Sequence, residues 1–386
     1  MKFLHLGDLH IGKSLLDFSL IDDQKYILNQ IIEVAEKKKV DALLIAGDVY
    51  DRSIPSEEAV SLFDRFLCTL ASKQIKTFVI SGNHDSDERL NFGSSLFETN
   101  GVYIASKFEG KLYRKELKDQ KNPEERVNIF LLPFVKASQV KHFYPDAAIE
   151  TYEDAVRTII ENTEIHEEET NILVAHQFVS GKGSAPVLSG SESAAVQNVG
   201  LIEQIGTSCF DCFDYVALGH IHAPQQLDRE TLRYSGSPLK YSLSESNDNK
   251  SMPLVTVEGG KVSVELIPLT PIRDVRHIRG RMAQLLDKEN ITAPEDYIYV
   301  TLTDEDIIND AMGIFQQVYP NTVRIEYDNS HTRELTQVDI TQISENKSFD
   351  ELISDFYRMV YQCDISEEEM AVMMDAAREA GIIDET

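Results

Sequence analysis

Five times within the first 222 residues, a short apolar run ends in residue types that bind metal ions. Lys2–Leu6 leads into Asp8-Leu9-His10, and Ala42–Ala46 into Gly47-Asp48-Val49-Tyr50-Asp51-Arg52. Thr77–Ser81 leads into Gly82-Asn83-His84-Asp85, Asn171–Ala175 into His176-Gln177, and Tyr215–Leu218 into Gly219-His220-Ile221-His222. Runs of this length, rich in Val, Ile and Leu, suit strands buried on both faces. Sites in layered α/β sheets gather at the carboxyl ends of strands. The pattern therefore predicts an α/β fold that brings these five ends to one place. Five of the ten histidines follow such runs; His5, His142, His166, His277 and His331 do not, and are expected to be structural or solvated.

The stretches between the runs support this layout. Asp22–Lys39 places Ile27, Ile31, Val34 and Ala35 at helical spacing and ends in three lysines, which suit a helix C-terminus. Glu57–Ala71 reads as a second helix, so the chain opens as βαβαβ. Asn128–Leu132 is a further strand, and Lys118–Arg126 a surface loop beside it. Ser180–Ser193, rich in Gly and Ser, reads as a loop beside the site. Leu254–Val257 and Val262–Ile267 form a hairpin around Gly259-Gly260.

Leu269-Thr270-Pro271 is the expected boundary. It divides a large domain, 1–270, from a small α+β domain, 271–340, with a helix at Met282–Lys288 and strands at Tyr297–Leu302 and Val323–Tyr327. Residues 341–386 carry 12 Asp/Glu against 3 Lys/Arg. Phe349, Leu352, Ile353, Phe356, Tyr357 and Val360 make one helical stripe there. Ser366 and Glu369 form a capping box before a helix with Met370, Met373, Met374 and Ala377 on one face. This segment is either a helical hairpin folded on its own domain or a partner-docking element.

Four cysteines, Cys68, Cys209, Cys212 and Cys363, are too few for a disulfide framework, and the single C-x-x-C lacks a second pair for zinc. No apolar run approaches a membrane span, and the first carboxylate, Asp8, interrupts any signal-like stretch; a cytosolic protein is expected. The net charge of −28 lacks the basic footprint of a nucleic-acid binder. Either the substrate is small, or a basic partner holds a polymer while bound cations supply local positive charge.

Carboxylate, imidazole and amide oxygen without thiolate form a donor set for Mn²⁺, Fe²⁺ or Zn²⁺. Two ions about 3.5–4 Å apart would activate water and hold the leaving oxygen of a phosphoester. Asp48, in the central motif, can bridge them.

The ordered set D-x-H, G-D-x-x-D-R, G-N-H-D, H and G-H-x-H resembles the calcineurin-like metallophosphoesterase superfamily. Within it, Asn83-His84-Asp85-Ser86, Gly219 through Gln225 and Tyr234 through Leu239 resemble the SbcD family of bacterial nucleases. The resemblance implies a β-sandwich flanked by helices. It implies one ion on Asp8, His10, Asp48 and His222, and another on Asp48, Asn83, His176 and His220, with Mn²⁺ as the metal. His84 would face the scissile phosphate without binding metal. Asp51, or second Asp85, would orient it, although Asp85 could equally serve a turn. Arg52 would contact phosphate or pair with a surface carboxylate. The same resemblance implies a homodimer in a heterotetramer with an SbcC-type ATPase, acting in the cytoplasm at the nucleoid on DNA in end processing, repair and recombination. Residues 271–340 would be the capping domain and 341–386 the docking segment.

Two other function classes compete. A phosphomonoesterase or small-molecule phosphodiesterase would share the chemistry, but it needs no C-terminal third. A non-catalytic scaffold would have lost ligands, and none of the expected positions is missing.

Overall fold

The computed structural model describes residues 1–119, 122, 124–182, 186–189, 204–330, 350–354, 357 and 365–379. Two six-stranded sheets dominate the first of two compact units, Met1–His277 with Glu295–Tyr299. The first sheet runs Lys261–Pro268, Ser251–Glu258, Lys2–Leu6, Ala42–Ala46, Lys76–Ile80, Val102–Ala105 from edge to edge. Its last four strands are parallel, and the Ser251–Glu258 strand joins antiparallel to Lys2–Leu6. The second sheet runs Gln225–Leu227, Arg229–Tyr234, Tyr215–Gly219, Thr170–His176, Arg126–Leu132, Tyr113–Lys118, parallel except at its two edge strands.

The sheets stack through alternate side chains. Phe3, Leu44, Phe78 and Val255 of the first meet Ile129, Ile172, Val174 and Tyr215 of the second in one buried cluster. Each such side chain contributes about 1.5–3 kcal/mol relative to exposure. The other face of the second sheet packs Phe130, Leu173, Val216 and Leu218 against Val156 and Ile159 of helix Tyr152–Glu161. Because both faces are covered, the central parallel strands read as unbroken apolar runs. His5 sits between the sheets, with Nδ1 2.9 Å from the Tyr215 hydroxyl and Nε2 3.1 Å from the Leu218 carbonyl.

Local chemistry sets the helix ends. Ser56 accepts a hydrogen bond from the Ala59 N–H at 3.2 Å, and Glu57 and Glu58 follow it into the first turn of Glu57–Ser72. Helix Ile21–Lys38 ends at Lys39, which adopts the left-handed φ of 56°. The Gly259-Gly260 turn closes the Ser251–Pro268 hairpin with φ of 59° and 73°.

The second unit comprises Ile278–Pro294 and Val300–Thr386. Strands Val275–Gly280, Tyr297–Leu302 and Thr322–Tyr327 form a three-stranded sheet. In helix Ala311–Gln316, Asp310 accepts from the Gly313 N–H at 3.3 Å and Phe315 is fully buried. Helix Glu367–Glu379 carries the capping box: Glu369 N–H donates to Ser366 Oγ at 3.3 Å, and the Glu369 carboxylate accepts from Ser366 N–H at 3.0 Å. Ala377 is buried, whereas Met373 is exposed. Phe349, Phe356, Val360 and much of the Ser180–Ser193 loop lie outside the described residues. Among the described residues, no helix is long and apolar enough to cross a membrane.

Candidate metal centre

Five parallel strands, three from one sheet and two from the other, end at the same place. The loop after Lys2–Leu6 zips onto the loop after Ala42–Ala46. Asp8 N–H donates to the Gly47 carbonyl at 3.2 Å, His10 N–H to Asp48 at 2.9 Å, and Ile11 N–H to Val49 at 2.9 Å. Asp8, His10 and Asp48 take left-handed φ values of 54°, 41° and 48°, and His220 takes 102°. Side chains rarely adopt these conformations, and each costs roughly 1–3 kcal/mol unless the surroundings impose it. Gln24, buried in helix Ile21–Lys38, imposes part of it: Nε2 donates to the His10 carbonyl at 2.7 Å and Oε1 accepts from Gly12 N–H at 2.9 Å.

Asp85 clips the second and third loops together. Its carboxylate accepts three backbone N–H donors: Val49 at 3.1 Å, Tyr50 at 2.9 Å and Gly82 at 2.9 Å. All three of these bonds go to backbone rather than to the His84 ring. Asp85→Ala would leave three donors unmet in a buried site. We expect it to lower unfolding free energy by about 2–4 kcal/mol, measured by denaturant titration in EDTA. An unchanged midpoint would refute the clip.

The side chains converge in two groups that share Asp48. In the first, His10 Nε2 lies 3.0 Å from His222 Nε2 and 3.6 Å from Asp48 Oδ2, and the donor atoms of Asp8, His10 and His222 lie within 4.8 Å of one another. In the second, Asn83 Oδ1 lies 3.1 Å from His176 Nε2 and 2.9 Å from His220 Nδ1, while Asp48 Oδ2 is 3.5 Å from His176 Nε2. His176 Nδ1 donates to the Ala46 carbonyl at 2.7 Å, which leaves Nε2 turned inward. The two sheets must nearly touch for this: a Cβ at Gly219 would stand 1.9 Å from that same Ala46 oxygen.

This donor set fits cations. Asp8, His10, Asp48, His176, His220 and His222 are all at least nine-tenths buried, yet Asp8 Oδ2 has no hydrogen-bond partner. Imidazole nitrogens face one another at 3.0–3.3 Å, a crowding of metal-ligand atoms. Protonation states bear the strain. Burial pushes His10 down to about 4 and His220 to about 3, and lifts Asp8 to about 6. Burial also opposes charge on Asp48 and His176, but their attraction wins: Asp48 is held well below the usual carboxylate range and His176 rises to about 9. A cation held between these groups would supply the neutralisation that Asp48 otherwise draws from His176.

The structure brings together all seven residues expected as ligands and sets His84 beside them, its ring edge-on to His10 at 4.9 Å. The Asp51 carboxylate departs from its expected role. His84 Nδ1 lies 3.0 Å from the Asp51 carbonyl, whereas the Asp51 carboxylate turns to Lys13 Nζ at 2.7 Å and faces His10 Nδ1 at 3.6 Å. The attraction of the Lys13 ammonium favours that rotamer. Arg52 is four-fifths exposed, with Nε 3.7 Å from Asp51. Sequence reasoning missed Gln24 and Lys13, since a polar residue in a helix or a loop lysine carries no pattern of its own. It missed Phe134 as well, whose ring stacks near His220 at 6.4 Å.

Comparison with known proteins identifies the family. Residues 1–224 match the calcineurin-like phosphoesterase family, and residues 271–361 match the type 5 capsule protein repressor C-terminal domain. The chain is 34% identical over 368 residues to the SbcD component of the SbcCD nuclease of Staphylococcus epidermidis, covering 93% of each protein. Among solved structures, a dimetal phosphatase from Danio rerio aligns with a TM-score of 0.40 at 11% identity, over 70% of this chain and 96% of that one. The chain belongs to the calcineurin-like phosphoesterases, in the family of the SbcD component of the SbcCD nuclease.

Proposed function

We propose that this chain is a DNA nuclease that hydrolyses phosphodiester bonds with two Mn²⁺ ions. The observation that carries the reading is Asp48, whose buried carboxylate oxygen lies 3.6 Å from His10 Nε2 and 3.5 Å from His176 Nε2 and so joins the two donor groups, with His84 at their side. Asp8, His10, Asp48 and His222 would hold one ion, and Asp48, Asn83, His176 and His220 the other. Such ions, when bound, generate a nucleophile at neutral pH and offset charge on phosphate oxygens. The chain's own residues do the rest. Asp48 Oδ1 accepts the His84 N–H at 2.9 Å, so the shared carboxylate also fixes the backbone that carries His84. Nδ1 of His84 is engaged by the Asp51 carbonyl, which leaves Nε2 for a phosphate oxygen or the leaving oxygen. Arg52, exposed at the rim, is available to a phosphate of the strand.

The relative's name supports an assembly with an SbcC-type ATPase, and the C-terminal match, 271–361, supports a separate region that begins at 271; we assign a capping domain to 271–340 and a docking segment to 341–386. A partner that carries the DNA accounts for a nuclease chain with a net charge of −28. We place it as a homodimer in a heterotetramer, acting in the cytoplasm at the nucleoid, with exonuclease action on duplex ends and endonuclease action on single strands and hairpins.

The test is cleavage of a linear duplex and a closed DNA hairpin by purified protein in Mn²⁺, Mg²⁺ or EDTA, with and without the ATPase. Mn²⁺-dependent cutting of both is the expected result. Hydrolysis of a generic phosphomonoester while DNA stays intact, even with the ATPase, would overturn the reading in favour of a small-substrate phosphoesterase.

A further inference from the structure

The segment Pro238–Lys250 contains only one short turn of regular structure, Leu243–Glu245, yet it buries two opposite charges behind the metal centre. Glu245 is fully buried, and its Oε1 lies 3.5 Å from His222 Nδ1. Its Oε2 takes a 2.6 Å contact from Lys250 Nζ and a hydrogen bond from Ser237 Oγ at 3.2 Å; Ser242 Oγ donates to Oε1 at 3.3 Å. Lys250, itself buried, also donates to the His222 backbone carbonyl at 2.9 Å and to Asp248 at 3.2 Å. One ammonium group thus grips His222 twice, through its carbonyl and through the carboxylate that faces its ring. Tyr241, in the same segment, lays its ring against both His222 and His10.

We propose that Glu245 and Lys250 are positioning residues for His222. Glu245 holds the proton of His222 on Nδ1, which keeps the Nε2 lone pair aimed at the space shared with His10 Nε2, 3.0 Å away. A carboxylate behind a ligating histidine fixes its tautomer and raises its basicity. Burying a bare carboxylate is costly unless it is paired and hydrogen-bonded, and Glu245 meets both conditions. A loop lock alone would need the Lys250 pairing but not the approach of the second oxygen to the histidine ring. The inference rests on the two-ion reading and assigns Glu245 to the ion held by Asp8, His10, Asp48 and His222.

The experiment is Mn²⁺ titration of the full chain by calorimetry and electron paramagnetic resonance, for wild type, Glu245→Gln and Lys250→Met. Thermal melting of each protein in EDTA is recorded alongside. Glu245→Gln keeps the shape and an acceptor for Lys250 but removes the charge. We expect it to weaken one of two binding events by roughly tenfold to a hundredfold, leaving the other unchanged. The variant should melt below wild type in EDTA, since Lys250 keeps only Asp248 as an ionic partner, so binding is compared at a temperature where both proteins are folded. Lys250→Met strands Glu245 and should melt lower as well as bind that ion more weakly; if it fails to fold, Glu245→Gln alone decides. Two wild-type binding events that are unaltered in Glu245→Gln would overturn the positioning role and leave the two-ion reading intact. Wild-type protein that binds fewer than two ions would overturn both.

Discussion

Asp48→Asn is expected to reduce DNA cleavage to roughly a thousandth or less of wild type, equivalent to about 4 kcal/mol of lost transition-state stabilisation, and to leave at most one tightly bound ion per chain. The substitution preserves size and leaves Oδ1 able to accept the His84 N–H, so the loop should stay in place. What it removes is the negative charge common to both donor groups, 3.6 Å from His10 and 3.5 Å from His176. Two cations a few ångströms apart repel strongly in a buried site, and a neutral amide cannot offset that repulsion. Metal content by elemental analysis, beside cleavage rate, checks the result; two tightly held ions in the variant would sink the bridging role.

The same substitution should leave a trace in metal-free protein. His176, raised to about 9 by Asp48, contributes stability that is complete below its unfolded value near 6.5 and fades as pH rises through 9. Asp48, held low, contributes stability present above its ordinary value near 3.8 and lost on acidification. The difference in melting temperature between wild type and Asp48→Asn in EDTA should therefore be largest near pH 5–6 and shrink toward pH 9.

The site was legible in sequence because each donor follows a strand that must be apolar on both faces. Ala42–Ala46 and Lys2–Leu6 emerge with the bounds that their composition implies, and Tyr215–Gly219 extends the expected run by one residue. A parallel strand advertises its own end, and the donors stand at its last residue, as His176 does, or in the next one to four positions. The supporting residues carry no such signal. Glu245 and Lys250 lie in an irregular serine-rich segment, and Gln24 is a polar residue on the buried face of a helix whose apolar stripe alone is periodic. Their contacts to the site loops span 12 to 28 residues of chain, which only the folded sheets define.

Asp51 shows how a motif can name the right residue and the wrong atom. Its position after Asp48 brought it to His84, but the carbonyl makes the contact, because the carboxylate is drawn to Lys13. The consequence is specific. A carbonyl fixes the tautomer of His84, while the Asp51 carboxylate stays within 4.8 Å of a ring nitrogen without making the bond. The compact units divide after His277, and Glu295–Tyr299 counts with the first. Hydrophobic pattern reports strands and not their grouping.

His84→Ala is expected to lower kcat on DNA by about 10²–10⁴-fold, with metal content and KM close to wild type. The ring touches His10 edge-on and its Nδ1 is tied to a carbonyl, so its loss should leave the ligand side chains where they are. A substrate with a better leaving group separates its two conceivable contributions. If Nε2 delivers a proton to the leaving oxygen of DNA, a p-nitrophenyl phosphodiester, whose leaving group needs no proton, should show a much smaller penalty in the variant. If the ring only stabilises charge on the non-bridging oxygens, both substrates should suffer alike. Loss of one ion in His84→Ala would refute both readings and make the residue a ligand. Since the His84 backbone N–H is held by Asp48, a loop that shifted with the side chain would also perturb the Asp48 contacts. Unchanged metal affinity is therefore the control that allows a kinetic defect to be read as lost proton transfer or lost charge stabilisation.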